Sequence, residues 1–326
     1  MIGRRSIRKT ASSKLMKIDP ELALRFCPPS SVCVELTSAC NIHCLCCPVG
    51  QGKIPKGRMS LDTFKKILEL LPKHIRQLDF SHRGDPTVNR AFPEMIRYAR
   101  EKGYRTDLYT NGLLLDRYVD QIVECGLTTI RIDLDGASQQ SYARYRIGSS
   151  FERVRDNIAR LVEARASSKS GYPRNIFMIC VVSSFNEDEI PEIQTLARTL
   201  GVDRLLFKTA ITKYGLKYYN DESTQEEIAP RNRALARKPR RRGFVCPFLW
   251  RGAILYNGDL IMCTCDFEGE YRIGNVLEEN SYKKVFYGPK ARAMRKYILS
   301  GTASLCGACA VVEENHYIPE ISMRFA

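Results

Sequence analysis

Six short β-rich runs alternate with helical stretches between Val32 and Lys208, and that order restricts the chain to a parallel α/β architecture. The runs are Val32–Leu36, Gln77–Ser81, Thr106–Thr110, Thr129–Asp133, Ile176–Val182 and Arg204–Lys208. Between them, 61–71, 92–102, 117–124, 151–164 and 190–200 read as helices. The first carries Leu61, Phe64, Ile67, Leu68 and Leu71 at helical spacing. Parallel strands joined in this way cross over right-handed. Six units fall short of a closed eightfold barrel, so an open partial barrel and a doubly wound sheet both satisfy the pattern. The alternation stops near residue 210, and from Phe244 the chain turns Cys- and Gly-rich with no β–α period. The expected organisation is a basic extension at 1–30, a core at 31–210, a basic linker at 211–243 and a smaller metal-dependent domain at 244–326. No internal repeat at a fixed period is present.

The 326 residues are 44% hydrophobic and 27% charged, a globular rather than a disordered composition. No run approaches the ~18 apolar residues of a membrane span, and no apolar h-region follows the basic start. The expectation is a cytoplasmic protein with no membrane partner. Thirteen cysteines then need an explanation other than disulfides, and their clustering supplies it: Cys40, Cys44, Cys46 and Cys47 in one loop, Cys263 near Cys265, Cys306 near Cys309. Such grouping favours soft-metal ligation in a reducing compartment.

Lys and Arg number 51 against 36 Asp and Glu, a net charge of +15. Most of the excess lies in residues 1–17 and 231–242, which contain no acid and no aromatic residue. Without stacking aromatics these read as a solvated tail and a solvated linker, and nucleic acid is not an expected partner. A zinc-bound nucleic-acid-binding protein is the non-enzymatic alternative.

Cys40-x3-Cys44-x2-Cys47 follows the first strand directly, at the rim where parallel barrels keep their active sites. Three thiolates on a tight loop can take three corners of a 4Fe-4S cube and leave the fourth iron open. A zinc site there would have to draw on His43 or Cys46.

This loop, after the first strand of a six-unit β–α series, resembles the radical S-adenosylmethionine (SAM) superfamily. The resemblance continues along the core. Arg83-Gly84-Asp85-Pro86 resembles the family's Gly-Gly-Glu-Pro segment, and Thr110-Asn111-Gly112 its Thr-Asn-Gly. Ile132-Asp133-Leu134-Asp135-Gly136 resembles its Ser-x-Asp-Gly, and Tyr142-x3-Arg146 its next helix entry. Asn186, after the fifth strand, matches a further recurring polar position. The resemblance implies a partial (β/α)6 barrel with Cys40, Cys44 and Cys47 on a SAM-binding [4Fe-4S] cluster. Gly84, Asp85, Pro86, Asn111, Asp133 and Arg146 would contact SAM. Asp85 would serve its amino group together with backbone carbonyls, and Arg146 its carboxylate. Three departures stand out: Cys46 where an aromatic usually packs on adenine, Arg83 and Asp85 in place of Gly and Glu, and Asp133 in place of Ser. The chemistry implied is reductive cleavage of SAM to a 5′-deoxyadenosyl radical, which abstracts a substrate hydrogen atom. An external reductant such as flavodoxin or ferredoxin is the implied partner.

Cys246, Cys263, Cys306 and Cys309 resemble the ligand set of the auxiliary domain appended to some of these enzymes, called SPASM or, in a shorter form, twitch. They imply a small C-terminal iron-sulfur-binding domain with a second [4Fe-4S] cluster. The Gly-x4-Cys spacing favours Cys263 over Cys265 as a ligand; on an extended segment both would face one side. A structural zinc ribbon is the alternative. Tyr256-Asn257-Gly258-Asp259 predicts a hairpin turn. Only about 30 residues precede the first strand, which favours a small molecule or sugar over a peptide as substrate. An extra cluster would accept the second electron when a carbinol is oxidised, so a dehydrogenase is expected. An epimerase using Cys265 as hydrogen donor and a maturase of peptide side chains are the alternatives. The residues do not single out a catalytic base.

Overall fold

In the computed structural model, the described residues are 15–209, 226–235, 245–303, 305, 318–319 and 321–325. Six strands form the centre: β1 (Ser31–Val34), β2 (Gln77–Phe80), β3 (Arg105–Thr110), β4 (Thr129–Asp133), β5 (Asn175–Val182) and β6 (Arg204–Thr209). They lie side by side in chain order, and every adjacent pair is parallel. A doubly wound sheet would reverse its strand order at a switch point. The unbroken order instead gives the partial (β/α)6 barrel.

The C-terminal segment continues this sheet. Strands β7 (Ala253–Ile254), β8 (Asp259–Ile261) and β9 (Arg272–Asn275) form an antiparallel meander, and β7 pairs parallel with β1. The expected turn joins β7 to β8: Leu255 N–H donates to Asp259 O at 2.8 Å, and Gly258 takes φ +88°. At the far side β10 (Met323–Arg324) pairs antiparallel with β6. Among the described residues no pairing joins β1 to β6.

Alternation along each strand separates two faces. Val32 and Val34, Leu78 and Phe80, Leu108, Ile130 and Ile132, and Ile176 and Met178 are buried in the main apolar core. The helices supply Phe64, Ile67 and Leu68, then Phe92, Met95 and Ile96, then Ile122 and Ile158 to the same core. Each such burial contributes about 1.5–3 kcal/mol. Of the intervening residues, Cys33, Gln77, Asp79, Asp107, Tyr109, Arg131, Asp133 and Val181 face the cavity described below.

Among the described residues, four helices of five residues or more went unread in the sequence. Pro20–Phe26 is capped by Asp19, whose carboxylate accepts from Leu22 N–H at 2.9 Å; it buries Ala23 and Leu24 and falls within the expected basic extension. Gln139–Tyr145, Tyr282–Phe286 and Pro289–Leu299 are the others. Among the described residues no helix is long and apolar enough to cross a membrane.

Candidate functional site

Past β1 the chain enters the cysteine loop, which is fixed at both ends. Thr37 Oγ1 donates to Gly57 O and Ser38 Oγ to Pro55 O, each at 2.7 Å. In the middle, His43–Cys44 pairs antiparallel with Arg146–Ile147. The loop roofs a cavity of about 550 Å³ at the C-terminal ends of the central strands. Cys40, Cys44 and Cys47 all line it, with Gly84, Asp85, Asn111, Asp133 and Arg146 of the expected SAM site. Pro86 is buried beside them as the first residue of a short 3-10 turn.

Burial pushes all three thiols up, Cys40 to about 11. The strongest opposing influence on Cys44 is Arg146, whose Nη1 donates to Cys44 Sγ at 3.6 Å. Asn111 Nδ2 donates to Cys40 Sγ at 3.7 Å and to Asn41 Oδ1 at 2.9 Å. The buried Nδ2 of Asn41 has no hydrogen-bond partner among the described residues. Among those residues no three His, Cys, Asp or Glu gather round a point that would hold one metal ion. Three thiols spread round one cavity, each with a nearby donor or cation, suit a polynuclear iron–sulfur cluster better than zinc.

Asp85 is buried, and its carboxylate is taken up by the protein. It accepts from Thr87 N–H and Oγ1 at 2.9 and 2.6 Å, from Thr110 Oγ1 at 3.0 Å and from Asn111 N–H at 2.7 Å. A carboxylate has about four lone-pair sites. Asp85 therefore shapes the Thr110–Asn111 turn with oxygens that are already engaged. Gly84 sits at φ +63°, where an added Cβ would lie 2.4 Å from Ala39 O.

Arg146 is likewise engaged. Its Nε donates to Asp135 Oδ2 at 2.5 Å and its Nη2 lies 3.2 Å from Asp133 Oδ2. The expected carboxylate contact would thus come from a guanidinium already braced by two acids. Cys46 is buried, with Sγ 3.0 Å from Tyr145 Oη, and packs with Tyr145 and Ile228. Asn186 donates from Nδ2 to Asp135 O and Val181 O at 2.9 Å, and so ties the turn after β5 to the turn after β4.

The auxiliary cysteines divide. Cys263 is buried in the main core, Cys246 packs partly buried against it, and Cys306 and Cys309 lie outside the described residues. Strand β8 ends at Ile261, and a turn follows instead of an extended segment. Cys263 is buried in the core, and Cys265, whose N–H donates to Cys263 Sγ at 3.3 Å, packs partly buried against the same core and lines the cavity with Thr264 and Phe267.

Several cavity residues were not read from the sequence. Asp79, Asp107, Tyr109, Arg131 and Lys208 face it from β2, β3, β4 and β6, and Arg251 joins them. Arg131 Nη2 lies 3.0 Å from Asp107 Oδ2, and Arg251 Nη1 lies 3.4 Å from Asp79 Oδ2. Their signal was there to find: a polar residue at every second position of a strand otherwise apolar. His82 lies nearby at φ +104°, and burial lowers its ring to about 4, keeping it neutral.

Residues 34–197 match the model of the radical SAM superfamily, and residues 246–310 match that of SPASM, an iron-sulfur cluster-binding domain. The chain belongs to the radical SAM superfamily and carries a C-terminal SPASM domain. With that membership come a SAM-binding 4Fe-4S cluster, SAM itself and auxiliary iron–sulfur chemistry. The chain is 28% identical to a tungsten-containing aldehyde ferredoxin oxidoreductase cofactor-modifying protein of Pyrococcus furiosus, over 53% of this chain and 49% of that one. It spans about half the length of the curated relatives it matches. Among solved structures, BtrN in complex with AdoMet and 2-DOIA superposes with a TM-score of 0.55 at 17% identity, over 88% of this chain and 97% of that one. SuiB of Streptococcus suis bound to precursor peptide SuiA gives 0.63 at 15%, over 86% and 71%. At these identities the likeness concerns the fold.

Proposed function

We propose that this chain is a radical SAM oxidoreductase that oxidises a carbinol of a small, polar, sugar-like molecule. One observation carries the reading. A single cavity is walled by the three-cysteine loop, by polar residues of the central strands and by the Thr264–Phe267 turn of the iron–sulfur-binding segment. The cavity is about 550 Å³, and the SAM-binding cluster and SAM would fill part of it, so the space left suits a small substrate. Four lining cations, Arg131, Arg146, Lys208 and Arg251, are matched by Asp79, Asp85, Asp107 and Asp133. Such a wall offers hydrogen bonds without a strong net field, which suits hydroxyl groups better than several phosphates.

In this reading Cys40, Cys44 and Cys47 would hold the SAM-binding cluster. Gly84, Pro86, Asn111, Asp133 and Arg146 would border SAM, and Asp85 would shape that border. Cys246, Cys263, Cys306 and Cys309 would hold the auxiliary cluster. The bound cofactors supply a 5′-deoxyadenosyl radical that abstracts hydrogen from carbon, and a site that accepts the remaining electron. The chain's own contribution is placement. Arg146 favours the thiolate of Cys44, Asp85 sets the Thr110–Asn111 turn, and the strand acids receive hydroxyl hydrogens. An external reductant such as flavodoxin or ferredoxin, and a cytoplasmic setting that keeps thiols reduced, belong to the same reading.

Epimerisation is the second reading, and the place of Cys265 on the cavity wall favours it. A thiol there could return a hydrogen atom to the substrate radical. Turnover in deuterium oxide separates the two. A product lighter by two hydrogens supports oxidation. An isomeric product carrying one carbon-bound deuterium overturns it in favour of epimerisation.

A further inference from the structure

Two adjacent residues of the core reach two backbone carbonyls of the C-terminal segment. His82 Nδ1 lies 3.0 Å from Thr264 O, and Arg83 Nη1 donates to Phe267 O at 3.4 Å. A carbonyl can only accept, so Nδ1 of the neutral ring carries the hydrogen. The His82 ring also packs on Phe267, with centroids 5.3 Å apart. Arg83 is itself fixed: its Nε and Nη2 donate to Glu35 at 2.6 and 2.9 Å. Glu35 Oε1 further accepts from Tyr256 N–H, at 3.3 Å, in the turn between β7 and β8. Two core positions, one just past β1 and one just past β2, thus grip the C-terminal segment at Tyr256, Thr264 and Phe267.

Between the gripped carbonyls lie only Cys265 and Asp266. Asp266 is turned inward, its carboxylate accepting from the N–H groups of Gly269, Glu270 and Tyr271 at 2.9, 3.0 and 2.7 Å. Cys265 is left on the cavity wall. We infer that His82 and Arg83 are positioning residues that hold the Thr264–Phe267 turn so that Cys265 stays on the wall of the reaction cavity. The inference rests on that cavity being the site of reaction. It gives Arg83, a departure from the family's glycine, a task of its own. It also accounts for His82 keeping a positive φ that an L side chain rarely adopts: the carbonyl contact, the Phe267 ring and burial hold it there.

The test reads Cys265 directly, by the rate at which iodoacetamide modifies it in reconstituted full-length protein, followed by peptide mass mapping. His82→Gly removes the donor and relaxes the backbone, and should raise that rate about tenfold, with iron content unchanged. His82→Asn keeps a donor and tolerates a positive φ better than most residues, and should restore a rate near that of the unaltered protein. Arg83→Lys keeps the charge but loses the fork, and should also accelerate modification, which covers the case in which His82→Gly does not load iron. An unchanged rate in either loaded variant overturns the inference. So does protection of Cys265 until the auxiliary cluster is removed, because that would make it a ligand. Formation of 5′-deoxyadenosine by the unaltered protein is assayed separately. Its absence would refute the reaction site, while the modification rates would still decide whether His82 and Arg83 hold the turn.

Discussion

Arg146 stands 102 positions after Cys44, yet its Nη1 donates to the Cys44 sulfur at 3.6 Å, and the backbones of the two residues pair in one antiparallel ribbon. The charge that favours a thiolate is therefore delivered by the same backbone that holds the cysteine loop in place. Arg146→Met should lower the iron bound per chain and destabilise the protein, because Asp135 is left buried without its cation. Breaking such a pair costs about 3–5 kcal/mol. Arg146→Lys should retain part of both properties. Iron analysis and melting temperature check this; normal loading of Arg146→Met would show that the contact with Cys44 is incidental.

Cys46 lies between Cys44 and Cys47 in sequence but belongs to the Tyr145 and Ile228 cluster. Cys46→Ala should keep the SAM-binding cluster and its cleavage activity, with a modest loss of stability. Alanine at Cys40, Cys44 or Cys47 should each abolish 5′-deoxyadenosine formation under dithionite. Wild-type cleavage by the triple variant would reject the ligand assignment.

Gly84→Ala would set a Cβ 2.4 Å from Ala39 O and 2.6 Å from Thr37 O, at a φ of +63°. Both neighbours are backbone and cannot step aside. The expected cost is about 1–3 kcal/mol, with weakened SAM binding. Equilibrium dialysis with labelled SAM and a thermal melt measure the two effects, and unchanged values for both would contradict the close approach.

Burial raises the thiols of Cys40 and Cys46 to about 11 and that of Cys33 to about 12, from an ordinary value of 9.0. The folded apo-protein thus holds protons that the unfolded chain releases. Its stability from these groups is complete below pH 9 and is lost as pH climbs toward 11–12. The apo-protein should melt lower at pH 10 than at pH 8, and Cys33→Ala should shrink the difference. Iron loading displaces the protons of Cys40, Cys44 and Cys47, which burial also raises, and should proceed further at pH 8.5 than at pH 7. A melting temperature flat across pH 8–10 would count against the buried thiols.

The core was legible because its two signals are local. Apolar spacing located the strands and helices between Ser31 and Thr209, and residue order placed the cysteine loop and the Asp85 and Asn111 turns at one rim. What escaped is what requires contact between distant segments. Glu35 is one acid past a strand, and Arg83 looked only like a bulky intruder in a glycine position, until the fold sets them together. The place of Cys265 on the cavity wall was illegible for a local reason: β8 ends two residues before Cys263, and alternation does not continue through a turn. Asp79, Asp107 and Arg131 were overlooked because attention to apolar runs passes over the polar residue between each pair. The helices at 282–286 and 289–299 follow no β–α rhythm that would have announced them.

Strand β7 lies beside β1, with Cys33 opposite Ala253 and Val34 opposite Ile254. A chain emerging from the ribosome exposes β1 and the cysteine loop long before its neighbour at 253–254 exists. Until then, one edge of the parallel sheet offers unpaired amide and carbonyl groups beside open thiols. Such an edge invites pairing with other chains. A segment made much later is thus the one that covers the edge and completes the cavity wall, so truncations upstream of residue 253 should aggregate instead of yielding a smaller working enzyme.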